Sequence, residues 1–272
     1  MLGSLFSCLL YLTAVSLAIE TETKVSNCQI QDSEIFCKDI KNISTVLDIL
    51  VNEPVTITTL ILENCQDFND RNRDPRFSAL YNLQILKLIG CREGTTILEN
   101  LNNFHSLKSL TIKKSYLEKF ELKCATKSTL DYLDLSENKI EQFMLEDAES
   151  KTVPILRLNL SYNNFRKFRL KDLEKFPDLK VLILSHNEKL SELIPTPSVF
   201  PQLETLDLSH NPSLKTLCSP IFWSLPNISR FVKIWMKRFI HYLCIFRLIL
   251  DQTPNSRALG AYKFLPGEID FT

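Results

Sequence analysis

Glycine is scarce in this chain, at five residues in 272, which leaves no Gly-rich loop to cradle a nucleotide phosphate. A surplus of charge is also missing, since 32 basic side chains balance 32 acidic ones. That balance argues against a binder of nucleic acid or of another bulk polyanion, which needs a basic surface. No two cysteines stand at the CxxC spacing of a structural zinc site, so no metal is expected. No Ser-His-Asp grouping or paired carboxylates rise above chance, and the chain is read as a non-enzyme without a cofactor. The leading apolar run, Leu5 to Leu17, is too short to cross a membrane comfortably.

What the chain has instead is one phrase written seven times, with apolar residues at positions one, four and six and Asn or Cys at nine. The clearest copies are LDYLDLSEN (Leu130 to Asn138), ILRLNLSYN (Ile155 to Asn163), LKVLILSHN (Leu179 to Asn187) and LETLDLSHN (Leu203 to Asn211). Weaker copies start at Ile57, Leu83 and Leu107, so that successive starts are 26, 24, 23, 25, 24 and 24 residues apart. A period in the twenties with an LxxLxLxxN core resembles the leucine-rich repeat family, over roughly residues 25 to 230. The fold expected from this is an α/β solenoid, a leucine-rich repeat horseshoe with a parallel concave sheet and an irregular or short helical convex side.

The alternation within LxLxx gives each copy one short strand with its Leu pair facing inward. The ninth-position Asn (Asn138, Asn163, Asn187 and Asn211) is suited to bonding the buried turn backbone after its strand. Cys65, Cys91 and Ser115 take that slot in the first three copies. An apolar pair then closes the back of each coil: Ile140/Phe143, Phe165/Phe168, Leu190/Leu193 and Leu214/Leu217. No copy buries its own apolar face, so stability is expected to come from the neighbouring coils.

Residues 1–18 are read as a secretory signal, with Ser16 and Ala18 as the small residues before cleavage, although the leading segment carries no Lys or Arg. Residues 19–56 form the N-terminal cap, 57–230 the repeats (seven clear, an eighth started at Ile228), and 231–272 a non-repeat tail. The expected location is extracellular. Cleavage would leave seven cysteines, an odd number. Cys28 and Cys37 resemble, with only two cysteines, the N-terminal cysteine flank of extracellular leucine-rich repeat proteins, and that resemblance implies a disulfide. Cys65 and Cys91 occupy equivalent slots on adjacent coils, within bridging reach. The reading preferred for them is a pair of buried reduced thiols, because the slot accepts a weak donor.

Asn42, Asn159 and Asn227 each open an N-glycosylation triplet. The residues flanking the inward leucines point outward and converge laterally into a face. Ile61, Ile85 and Ile89 make one apolar group and Val181 with Ile183 another, on either side of a polar band of Lys113, Tyr132, Asp134 and Arg157. The expected ligand-binding set is Ile85, Lys87, Ile89, Lys113, Tyr132, Asp134 and Arg157, although β-branched residues also simply suit strands. His186 and His210 sit in successive SHN copies, at a position that varies as Glu137 and Tyr162 elsewhere.

The repeat phase fails at Lys233, which falls on an inward position, and Phe231 to Leu250 follows as an apolar stretch broken by five basic or His residues. Those charges argue against a membrane span. As a basic amphipathic helix the stretch could lie on a membrane surface. The preferred reading is the end of a truncated or variant product of a longer repeat protein, rather than an evolved cap.

The resemblance implies a secreted recognition module, similar to part of a Toll-like receptor ectodomain or to a soluble leucine-rich immune protein, binding a protein or microbial ligand. The alternatives are a matrix or adhesion protein of the small leucine-rich type, which carries a four-cysteine N-terminal cluster that this chain lacks, or a truncated membrane receptor.

Overall fold

The computed structural model describes residues 27–41, 43–52, 56–66, 76, 80–91, 104–122, 129–145, 152–215, 217, 221 and 224–232. The chain enters through an antiparallel hairpin, β1 (Cys28–Gln31) and β2 (Glu34–Lys38), followed by helix α1 (Ile43–Asn52). Ile43, Val46, Leu47 and Leu50 recur at helical spacing and are buried, which docks α1 on the first coil. Each copy then lays one strand into a broad sheet: β3 (Thr59–Glu63), β4 (Ile85–Ile89) and β5 (Ser109–Lys113) come first. On the opposite side of the coils, β6 (Lys119–Leu122) follows, then β7 (Tyr132–Asp134) returns to the sheet. The alternation continues with β8 (Gln142–Leu145) and β9 (Arg157–Asn159), β10 (Lys167–Arg169) and β11 (Val181–Ile183), β12 (Glu192–Ile194) and β13 (Thr205–Asp207). The last strand is β14 (Arg230–Val232).

Ten strands form the broad sheet, in the order β1-β2-β3-β4-β5-β7-β9-β11-β13-β14. All pairs after the hairpin are parallel, and each copy meets the next at the same repeat position, as in Leu158 beside Leu182 and Leu182 beside Leu206. The inward leucines form the core. From Leu133 to Leu208 the eight that the repeat places inward are at most 1% exposed. At roughly 1.5–3 kcal/mol for each fully buried Leu, this row is the main stabilising element of the coil stack. Behind it, Phe120 stacks on Phe143 at 5.8 Å and Phe165 meets Phe168 edge-on at 5.5 Å. The back of the coils is more regular than the sequence suggested. Two short parallel ladders, β6 with β8 and β10 with β12, run beside the 3-10 turn at Leu170–Leu173.

The asparagine slots bind backbone across coils. Asn163 Nδ2 donates to Leu135 O of the preceding coil (3.0 Å) and to Leu160 O of its own (3.1 Å). Asn138, Asn187 and Asn211 repeat the pattern, reaching Ile112 O (2.7 Å), Leu160 O (3.0 Å) and Leu184 O (3.0 Å). Where cysteine replaces Asn, sulfur stands in the same place, with Cys91 Sγ 3.6 Å from Leu62 O.

Cys28 and Cys37 are register partners in the hairpin and are disulfide-bonded. Cys65 and Cys91 are bonded as well, which overturns the reduced pair preferred from the sequence. The slot residue reaches back toward the preceding coil, so two sulfurs in consecutive slots meet, with Cα atoms 4.3 Å apart. Cys124, Cys218 and Cys244 lie outside the described residues.

The eighth copy makes a strand. Phe231 falls beside Leu206 and Val232 beside Asp207, so the sheet runs two residues past the boundary set at 230. Phe231 is apolar at the fourth position, as the phrase requires, and the phase fails only at Lys233. Residues 1–18 and 233–272 lie outside the described residues. Among the described residues no helix is long and apolar enough to cross a membrane.

Candidate functional site: the broad sheet face

Lateral register turns the outward positions into three rows across the sheet. Tyr132 lies between Ser109 and Arg157 in the first row, and Asp134 between Thr111 and Asn159 in the second. Ile89 lies between Glu63 and Lys113 in the third. Six of the seven residues singled out from the sequence line this face as half-buried or exposed side chains, and Arg157 is the most open of them.

Asp134 is different: it is 3% exposed. Its carboxylate pairs with Lys113 Nζ at 3.0 Å and accepts from the Tyr132 hydroxyl at 3.1 Å. Oδ1 also accepts from the Ser136 N–H (3.0 Å) and Oγ (2.7 Å). Longer side chains from the flanking rows fold over the middle row, which also buries Thr111. Burial, together with the adjacent Asp134 carboxylate, pushes the Tyr132 phenol up to about 12. The polar band is therefore an internally satisfied cluster with Lys113 and Tyr132 on its outer side. Lys87 and Arg157 make no ion pair among the described residues, and they are the cations this face offers to a partner.

The first apolar group is larger than the sequence indicated. Phe36 of the cap hairpin is the register partner of Ile61, both are half-buried, and Lys87 continues their row with Ile85 and Ile89 on either side of it along β4. Phe36 lies before the first copy of the phrase, so a scan for LxxLxLxxN passes over it. The signal was EIFCK, whose Ile35 and Cys37 alternate inward like a repeat strand. Val181 and Ile183 lie on the far side, also half-buried.

A second device was also written in the sequence. Asp134-Leu135-Ser136, Asn159-Leu160-Ser161 and Asp207-Leu208-Ser209 each close their strand by an Asx turn, the side-chain Oδ1 accepting from the Ser N–H at 3.0, 3.1 and 2.9 Å. The glycosylation triplet at Asn159 coincides with this turn. Its Oδ1 takes both the N–H and the hydroxyl of Ser161, in the middle row of the sheet. Asn227 is exposed and donates from Nδ2 to Pro201 O at 2.8 Å. Asn42 lies outside the described residues.

At the carboxyl ends of the strands, the Tyr162, His186 and His210 rings stack in a column, with centroids 4.1 Å apart at each step and tilts of 7° and 12°. A metal ligated by an imidazole lies in the ring plane, and two nearly parallel planes this far apart share no such point. The column is thus a packing feature, and desolvation and the neighbouring His210 hold the His186 pKa below its usual value.

Among known proteins, a family model described as Leucine Rich Repeat matches residues 202–225. Among solved structures, the chain is similar to the crystal structure of the APL1 leucine-rich repeat domain, with 20% identity and a TM-score of 0.29. The match covers 59% of this chain and 51% of that one, so the chain spans about half the length of the solved domain. No curated protein matches. The matched segment holds LETLDLSHN and its return to Leu225, the coil whose strand is β13. The family model thus meets the chain on the phrase that recurs, in register, through a leucine-rich repeat solenoid.

Proposed function

We propose that this chain is a secreted, non-enzymatic recognition module that binds a protein or microbial ligand through its broad sheet face, in an innate-immune setting. The observation that carries the reading is the composition of that face. Half-buried Phe36 and Ile61 lie side by side with Lys87 next in their row, Ile85 and Ile89 flank Lys87 along β4, and Lys113, Tyr132 and Arg157 lie beyond. A polar-rimmed apolar patch on a rigid scaffold suits macromolecular docking. The ligand-contact set is Ile85, Lys87, Ile89, Lys113, Tyr132 and Arg157, with Asp134 orienting Lys113 and Tyr132 rather than touching the ligand. Two buried disulfides favour an oxidising compartment, and with it the secreted reading.

The test has two arms. Expression of the full chain in a eukaryotic secretory host should yield protein in the medium that begins at Ile19. Recovery only from the cytosol would reject secretion. An array of extracellular proteins and microbial surface polymers should then give ligands whose affinity falls when Lys87 or Arg157 is changed to Glu, at unchanged melting temperature. Ligands indifferent to both changes would remove the sheet face from consideration.

A further inference from the structure

The position following each strand of the broad sheet turns the chain into the left-handed region. Asn64, Lys114, Glu137, Tyr162, His186 and His210 all adopt φ between 52° and 58° there, and each carries a side chain. Gly90 holds the same place at φ 67°. Its N–H donates to Lys113 O of the next coil at 2.8 Å, just as Asn64 N donates to Ile89 O. Residues with side chains therefore make the same turn elsewhere, under the strain that a left-handed φ places on them. What glycine changes is the surface. A Cβ at this position would come within 2.9 Å of Asn64 Oδ1, the end of a flexible side chain.

Gly90 borders an open notch of about 460 Å³ at the carboxyl ends of β3 and β4. Ile89 and Cys65 line it on the apolar side, Asn64 and Gln66 bring amides, and Tyr116 and Lys114 stand along the far wall. Ile89 is an outward residue of β4 as well, beside Glu63 and Lys113 in its row and diagonal to Ile61, so the notch opens onto the sheet face. Lys87 lies on β4 two residues before Ile89, about 7 Å along an extended chain, which is the spacing of alternate side chains on a peptide strand. Glu63 also lines the notch, and its carboxylate pairs with Lys38 at 3.7 Å, which leaves Lys87 as a cation for an incoming acid.

We infer that the Gly90 notch is the anchor pocket of this surface. Its occupant is a peptide segment of a partner protein, with a large apolar or aromatic side chain in the notch and a nearby Asp or Glu over Lys87. This inference rests on the sheet-face reading of the preceding section and narrows it to a polypeptide ligand and to one end of the face.

The probe is a displayed library of random dodecapeptides, panned on the full chain. Selected peptides are then measured on the full-length variants Gly90→Lys, Tyr116→Asn and Lys87→Glu. Lys occupies the same turn at Lys114, but at Gly90 its Cβ must displace the Asn64 amide, whereas Asn tolerates the left-handed φ of Tyr116. The expected result is a set of peptides with an acidic residue close to an aromatic or large aliphatic one, losing about tenfold in affinity on each notch variant. If Gly90→Lys melts early, Tyr116→Asn, on an exposed side chain, decides alone. Peptides that bind both notch variants at full affinity but are lost with Lys87→Glu would overturn the notch and leave the sheet face standing. Peptides indifferent to all three variants would overturn both readings. A library that yields no peptide at all would overturn the polypeptide ligand.

Discussion

Asp134 has four donor groups around it, from Lys113, Tyr132 and the N–H and hydroxyl of Ser136, at 3% exposure. Asp134→Ala would leave buried hydrogen-bonding groups without an acceptor, at a cost of about 1.5–3 kcal/mol, read by denaturant unfolding. Arg157→Glu, on an exposed neighbour in the adjacent strand, should stay within roughly 0.5 kcal/mol of the parent in the same assay. The two substitutions separate an organising carboxylate from a contacting cation. Two groups contribute to the response to pH in opposite directions. The Tyr132 phenol titrates near 12 against an ordinary value of 10.0, so it favours the fold below about pH 10 and that contribution is lost as pH rises toward 12. His186 works in the opposite direction. Its pKa is lowered from 6.5 in the fold, so its contribution is present above that pH and disappears as the solution is acidified through the folded value. Melting temperatures across acidic pH for the parent and for His186→Phe should show a smaller acid-side loss in the variant. Parallel profiles would show that the stacked column has no part in it.

Each strand of the broad sheet owes its place to three leucine-spaced positions, and the energetic weight lies on the two that face inward. Leu158 is fully buried between Leu133 and Leu182, its register neighbours. Leu158→Ala should therefore cost about 2–5 kcal/mol, measured by equilibrium unfolding. A cost well under 1 kcal/mol would mean that the coil collapses to fill the space or that the core is loosely packed. These strands were legible because alternation is a local property of five or six residues. The ladders β6–β8 and β10–β12 were not. Phe120, Phe143, Phe168 and Leu193 announce burial at the back of the coils, but backbone pairing there depends on two successive coils returning at the same height.

Over the whole molecule, ten strands in one sheet bring together residues about two dozen positions apart at each step. The N-terminal end of that stack is closed by the hairpin with Cys28–Cys37 and stapled at the first two coils by Cys65–Cys91. At the other end β14 pairs with β13 and carries the sheet through Val232. A chain ended after Val232 keeps every described strand, and its melting temperature should match that of the full chain. A chain ended after Pro226 loses β14, opens the edge of β13 and should melt lower. If ending the chain at Val232 abolished folding, the segment from Lys233 onward would be a required cap rather than the tail of a variant product.

The copies of LxxLxLxxN by themselves determined the solenoid, the strand positions, the inward leucines and the asparagine slots. Each of these depends on short-range periodicity, which the chain repeats seven times over. The recurrent Asp/Asn-Leu-Ser turn was equally local and could have been found the same way. Tertiary structure decided the rest, because it fixes which side chains become lateral neighbours and how long those neighbours are. Asp134 occupies an outward position by alternation, yet it is buried because Lys113 and Tyr132, from an adjacent strand and from its own, fold over it. Phe36 joins the broad sheet face because a cap strand outside the phrase falls into register with Ile61. Cys65 and Cys91 bond because two slots that elsewhere hold asparagines happen to hold sulfur on consecutive coils. Gly90 lines a notch with Asn64 and Lys114, two residues that only the stacking of other turns of the solenoid brings to its side.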